Sequence, residues 1–154
     1  MNVNVSVKQL LAQGLAETVE GVLAETGIPP ETLNLEITES ALIPELDSVQ
    51  KILSGLRALH VGLALDDFGT GYSSLSCLRS LQFDSLKIDR SFIQRLHQDP
   101  ESCAIVETIL NLARGLHMSV VAEGIQNEEQ LGTLLKLGCE IGQGFLFSKP
   151  VAAE

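Results

Sequence analysis

Residues 61–74 read VGLALDDFGTGYSS. The apolar run Val61–Leu65 predicts a buried strand. It ends in two adjacent carboxylates, Asp66 and Asp67, and a glycine turn, Gly69-Thr70-Gly71, follows at once. Two like charges about 4 Å apart repel by roughly 4 kcal/mol at an effective dielectric near ~20. A strand end that presents both therefore needs a cation, a shared proton or open water. Hard divalent metals take carboxylate oxygens, which is one reading. The other is that one aspartate caps the next helix while the glycines form a tight turn.

Outward from this stretch, helix and strand signals alternate. Val3–Val7 predicts a strand, and residues 8–26 a helix with Leu11, Leu15, Val19 and Val22 on one face, ended by Gly27 and Pro29-Pro30. Leu33–Thr38 predicts a second strand, with Glu36 and Glu39 near its end. Pro44 opens a helix whose apolar face is Val49, Ile52, Leu56 and Leu59. Beyond the Asp-Asp strand come a short helix over Ser73–Leu81, a strand over Asp84–Asp89 and a helix over 101–116 carrying Ile105, Ile109, Leu112 and Leu116. Met118–Ala122 predicts a fifth strand, ending at Glu123. Asn127 and Gln130 have capping-box spacing, that helix ends near Gly138, and Glu140–Phe147 is a sixth strand or extended stretch. No linker or low-complexity segment interrupts the pattern, so one domain over 1–154 is expected, built from parallel βα units. A weak internal echo accompanies it: Arg57-x-Leu59-His60 leads to Asp66, and Arg114-x-Leu116-His117 to Glu123, each acid nine residues after its arginine.

The composition narrows the function classes. A chain of 154 residues with 45% hydrophobic residues is long and apolar enough for a sizeable core. A net charge of −10 without a basic stripe argues against duplex nucleic acid, yet leaves room for a phosphate ligand if metals supply positive charge. No apolar run approaches the ~18 residues of a membrane span, and MNVNVSVKQL lacks a signal-peptide layout, so a cytoplasmic protein is expected. Cys77, Cys103 and Cys139 have neither disulfide nor zinc spacing, and His60, His97 and His117 form no ligand cluster.

Nearly every predicted strand carries a polar group toward its C-terminal end: Asn4, Glu36, Asp66 with Asp67, Lys87 with Asp89, Glu123 and Gln143. Each alone reads as a cap, a turn former or a solvated side chain. The repetition over six strands predicts a shared polar site at the strand ends, where (β/α) barrels carry their chemistry. An acid-rich, oxygen-donor set suits Mg²⁺ or Mn²⁺ rather than zinc. Two such metals bridged by an aspartate clamp an in-line displacement at phosphorus, with Lys87 orienting water or neutralising phosphate. A lysine Schiff-base aldolase competes, but acids around Lys87 favour its ammonium form, which is no nucleophile.

The chain resembles the bacterial EAL domain, the cyclic-di-GMP phosphodiesterase barrel, through NVSVKQL (4–10), LEITES (35–40), DDFGTGYSSL (66–75), LKIDRSFI (86–93), VVAEGI (120–125) and GQGFLFSKP (142–150), in family order over nearly the whole chain. The resemblance implies a TIM-type (β/α) barrel and two-metal hydrolysis of cyclic-di-GMP to linear pGpG in second-messenger signalling. It implies Asn4, Glu36 and Asp66 as ligands of one metal, Asp66, Asp67 and Glu123 as ligands of the other, and Lys87 as the catalytic lysine. Glu39 resembles the glutamate that steadies the DDFGTGYSS loop, and Asp89 and Gln143 resemble substrate-contacting positions. Such domains commonly accompany a diguanylate cyclase or sensor domain. Two features depart from the family pattern. The signature glutamate-alanine-leucine segment, with a metal-ligand glutamate, is absent before the NVS strand, and AEGVE stands as AEGIQ, with Gln126 last. An incomplete barrel of about six of eight βα units is therefore expected, either a fragment of a longer protein or an oligomer such as a homodimer that closes the gap. The alternative function is a catalytically inactive module that binds cyclic-di-GMP or a protein.

Overall fold

A computed structural model describes residues 1–42, 46–71 and 75–151. Its contacts gather into two units, Met1–Ser85 and Leu86–Glu154.

In the first unit, strand β1 (Asn2–Val5) is followed by a single helical turn, α1 (Val7–Leu10), and by helix α2 (Leu15–Thr26). The single helix expected over 8–26 is thus broken. Leu11 closes α1, and Gly14 restarts the helix in left-handed backbone, φ 87°, which glycine adopts without a Cβ penalty. The break re-aims the apolar stripe: Leu10, Val19 and Leu23 are buried, while Leu11 and Val22 are exposed. Gly27, in left-handed backbone, ends α2 as expected. Strand β2 (Asn34–Thr38), helix α3 (Leu46–Ala58), strand β3 (Gly62–Phe68) and helix α4 (Leu75–Leu81) complete the unit. Pro44, Tyr72, Ser73 and Ser74 lie outside the described residues. The buried face of α3 is Val49, Leu53 and Leu56, and this helix packs on β3.

The strands β1, β2 and β3 are parallel, and their register decides what shares a face. Asn2, Asn34 and Gly62 are opposite one another; so are Asn4, Glu36 and Ala64; so are Thr38 and Asp66. Side chains alternate along a strand, so these three rungs line one face. The alternate residues Val5, Leu35, Ile37, Leu63 and Leu65 are buried and form the apolar core of the unit.

The second unit opens in strand β4 (Ser85–Ile88), followed by helices α5 (Arg90–Arg95) and α6 (Pro100–Gly115), strand β5 (Ser119–Glu123), helix α7 (Glu128–Leu137) and strand β6 (Ile141–Gln143). Strands β5 and β6 are parallel, with Glu123 opposite Gln143. Ile88, Ile93, Val106, Leu110, Ala113, Ile125 and Leu134 are buried in its core. Helix α7 starts at the expected capping box of Asn127 and Gln130 and stops at Gly138, φ 77°. Strand β6 is shorter than the stretch Glu140–Phe147. At Gly144 the chain runs against the backbone of Ile125, where a Cβ would sit 2.1 Å from the Ile125 carbonyl oxygen.

The echo in the sequence is a repeated helix-to-strand junction. His60 (φ 62°) and His117 (φ 59°) each adopt left-handed backbone between helix and strand, and each N–H is donated back to the preceding arginine's carbonyl. Each arginine also reaches the end of the next helix. Arg57 donates to the Gln82 side chain just past α4, and Arg114 to the carbonyls of Leu137 and Gly138 that close α7.

Candidate functional site

The first unit collects oxygen donors on the rungs described above. Glu36 and Asp66 are buried carboxylates, and Asn4 lies directly opposite Glu36. Glu36 accepts a hydrogen bond of 2.9 Å from the Asn2 side-chain amide. Asp66 and Asp67 fall inside β3 rather than after it, which ought to send them to opposite faces. The chain breaks that alternation at Asp67, whose φ is 53°. Left-handed backbone is tolerated by aspartate and costly for most other residues. Its effect is that the two carboxylates place oxygens within 4.8 Å of each other. Asp66 Oδ1 accepts the Asp67 N–H at 3.0 Å, and the Asp67 carbonyl receives the Thr70 hydroxyl at 2.8 Å.

Glu39 lies just past β2 and is almost wholly buried. Its Oε2 accepts the N–H groups of Gly69 (2.9 Å) and Gly71 (3.1 Å), so one carboxylate oxygen ties down the turn that follows Asp67. Gly71 packs tightly there, since a Cβ would stand 3.0 Å from the Glu39 carboxyl carbon and press on the carboxylate that holds the turn. On α4, burial pushes the Cys77 thiol up, and Glu39 adds to the effect. Burial likewise raises the Cys139 thiol, so both are poor nucleophiles.

In the second unit, Lys87 Nζ lies 2.7 Å from Glu123 Oε1. Gln143 Nε2 donates to the same oxygen at 2.6 Å. Lys87 is buried and Glu123 half-buried, so the pair needs further hydrogen bonds to offset the lost hydration, and Gln143 supplies one. Glu123 and Gln143 also line a cleft of about 450 Å³ with Arg90, Gln126, Phe145 and Lys149. Its rim carries two cations in a chain of net charge −10, so it suits an anionic ligand.

The Asp89 carboxylate accepts the Ser91 N–H at 2.9 Å and caps α5. Two residues outside the sequence-based set hold the strand ends. Asp84 accepts the Leu63 N–H with its carboxylate (2.8 Å) and fixes the start of β3. Gln130, buried, accepts the backbone N–H of Gln126 at 2.7 Å and so fixes the loop after Glu123. The capping-box spacing flagged Gln130 as a helix start but not its reach to Gln126. Gln126 itself is exposed at the cleft.

The sequence profile of the EAL domain matches residues 1–150. The chain is 43% identical over 151 residues to the cyclic di-GMP phosphodiesterase RocR of Pseudomonas aeruginosa, covering 98% of this chain and 38% of RocR. Among solved structures, the PaMucR phosphodiesterase in complex with c-di-GMP superposes with a TM-score of 0.95 at 43% identity, over 99% of this chain and 62% of that one. A manganese and cyclic di-GMP complex of BlrP1 from Klebsiella pneumoniae gives 0.90 at 33% identity, over 97% of this chain and 38% of that one. The alternating strands and helices are thus βα units of a TIM-type barrel, with six strands among the described residues. The chain belongs to the EAL domain family. It spans well under half the length of RocR.

Proposed function

We propose that this chain carries most of the active site of a cyclic-di-GMP phosphodiesterase, a cytoplasmic off-switch that opens the cyclic dinucleotide to pGpG. The observation that carries this reading is the Asp66–Asp67 pair. The chain adopts left-handed backbone at Asp67, and the two carboxylates lie within 4.8 Å of each other. At that spacing two charges repel by roughly 3.5 kcal/mol at an effective dielectric near ~20, an arrangement that a divalent cation between them would reverse. The all-oxygen donor set fits Mg²⁺ or Mn²⁺. Asn4, Glu36 and Asp66 would hold one ion, and Asp66, Asp67 and Glu123 the other. When bound, the ions would supply Lewis acidity to the phosphodiester.

The protein's own groups have distinct parts in this scheme. Water attacks phosphorus, the bond to the ribose 3′ oxygen breaks, and the leaving oxygen takes a proton. Lys87 offsets the charge that develops on the phosphoryl oxygens. Glu123, steadied by Gln143, fixes the direction of the Lys87 ammonium. Glu39 holds the turn after Asp67, and so the direction in which the carboxylate pair points. Arg90 and Lys149 attract the anionic substrate to the cleft.

The test is direct. The purified chain is incubated with cyclic-di-GMP and Mg²⁺ or Mn²⁺ beside an Asp66→Asn control, and pGpG is followed by chromatography. Product that vanishes in the control supports the reading. No product above the control overturns it for this chain and leaves a binding module, which a titration with the dinucleotide would reveal. Dimerisation and a diguanylate cyclase or sensor partner belong to the same proposal.

A further inference from the structure

The lowest rung of the first unit bears on Glu36 in a way the ligand set does not include. Asn2, Asn34 and Gly62 stand opposite one another on β1, β2 and β3, one rung below Asn4 and Glu36. Their side chains are linked in one direction. Asn34 Nδ2 donates to Asn2 Oδ1 at 3.2 Å, and Asn2 Nδ2 donates to Glu36 Oε1 at 2.9 Å. An asparagine amide has one acceptor end and one donor end. By occupying the acceptor end of Asn2, Asn34 leaves its donor end turned toward Glu36. Asn34 can lie there only because residue 62 is glycine: a Cβ at Gly62 would fall 2.0 Å from Asn34 Oδ1.

We propose that Gly62, Asn34 and Asn2 form a positioning relay that holds the Glu36 carboxylate in the orientation a divalent cation requires. The inference rests on the metal-site reading above, and names residues that act through Glu36 rather than touching ion or substrate. Partners that orient a metal-binding carboxylate in this way matter for affinity, and their loss typically costs about 10–100-fold. Part of the relay is open to solvent, so the lower end is expected.

The experiment uses Asn2→Ala, Asn34→Ala, Gly62→Ala and the Asn2→Ala/Gly62→Ala double variant of the full chain, with melting temperature as a fold control. Mn²⁺ affinity is read from the free-ion electron paramagnetic resonance signal, and the Asn2 side-chain amide from ¹H–¹⁵N spectra. Each single variant should weaken Mn²⁺ binding about tenfold. The double variant should be no weaker than Asn2→Ala alone, because both act on the same bond. Asn34→Ala and Gly62→Ala should each shift the Asn2 amide resonance. Unchanged Mn²⁺ affinity in the Asn2 and Asn34 variants, or additive losses in the double variant, overturns the relay while leaving the metal site standing. A parent chain that binds no Mn²⁺ overturns the metal site and, with it, the relay's role. Should Gly62→Ala fail to fold, the two asparagine variants decide the matter alone.

Discussion

Replacing Glu39 by alanine should loosen the turn after Asp67 more than any other single change outside the ligand set. Glu39 is 2% exposed, so its hydrogen bonds are not diluted by solvent. Its Oε2 accepts two backbone N–H groups, from Gly69 and Gly71. A hydrogen bond to a charged acceptor contributes about 1.5–3 kcal/mol, so two sum to ~3–6 kcal/mol as an upper bound. Gly69 and Gly71 sit in a turn that can rotate toward water when released. The observable loss should therefore be nearer about 3 kcal/mol. Glu39→Gln keeps an oxygen in place and removes the charge, and should lose about half as much, since charge-assisted bonds are roughly twice as strong as neutral ones. The assay is amide hydrogen exchange at Gly69 and Gly71, with urea unfolding alongside. A loss of ~3 kcal/mol corresponds to roughly 100-fold faster exchange at both glycines in the alanine variant, and half that loss to roughly tenfold in the glutamine variant. Unchanged exchange at both positions in Glu39→Ala would refute the reasoning, whatever happens to global stability.

Other outcomes follow from the same geometry. Lys87→Met should lower pGpG formation by about 10²–10⁴-fold while dinucleotide binding, measured by calorimetry, stays within severalfold. Asp99 caps α6, accepting the Ser102 hydroxyl at 2.6 Å and the N–H groups of Glu101 and Ser102. The Ser102 hydroxyl, followed by the Glu101 N–H, holds its carboxyl below the usual range. The stability it contributes is therefore present above the ordinary carboxylate pKa and lost as pH falls through the depressed folded value. Asp99→Ala should lower the melting temperature near neutrality and flatten this acid limb in a series of melts from neutral to acidic pH. His60→Gly and His117→Gly should each stabilise the chain by up to about 1 kcal/mol in urea, because glycine accepts left-handed backbone freely but gives back part of the gain in unfolded-state entropy.

The strands were legible because their apolar runs are short, bounded and followed by polar residues. Glu36 and Lys87 fall inside strands as their flanking sequence implies, while β3 and β5 run on past their apolar runs to include Asp66 and Glu123. Helix phase was harder to read. The stripe Leu11, Leu15, Val19 and Val22 is a good helical repeat on paper, yet Gly14 resets the phase and exposes two of its members. Helix α5 escaped notice because Arg90–Arg95 is too short to show a period. Its cap is Asp89, the position that the family resemblance associates with substrate. Strand register was not legible at all. Pairing between separate runs leaves no local mark, and a slip of one residue would move Glu36 and Asp66 to the opposite face. The adjacency of Asp66 and Asp67 in the sequence poses a problem of charge, and the left-handed backbone at Asp67 is visible only in three dimensions.

The repeated junction at His60 and His117 works as a ruler. In each copy the arginine is tied to the end of the following helix, and the acid stands nine residues further along the chain, at Asp66 and at Glu123. Between the histidine and the acid the backbone is strand, where position counts in steps of two. Substitutions there change packing, but inserting or deleting one residue turns the carboxylate to the other side of the sheet. Among descendants of this sequence, the stretches 61–65 and 118–122 should therefore drift in composition while keeping a fixed length, and gaps should collect at the far end of each helix instead.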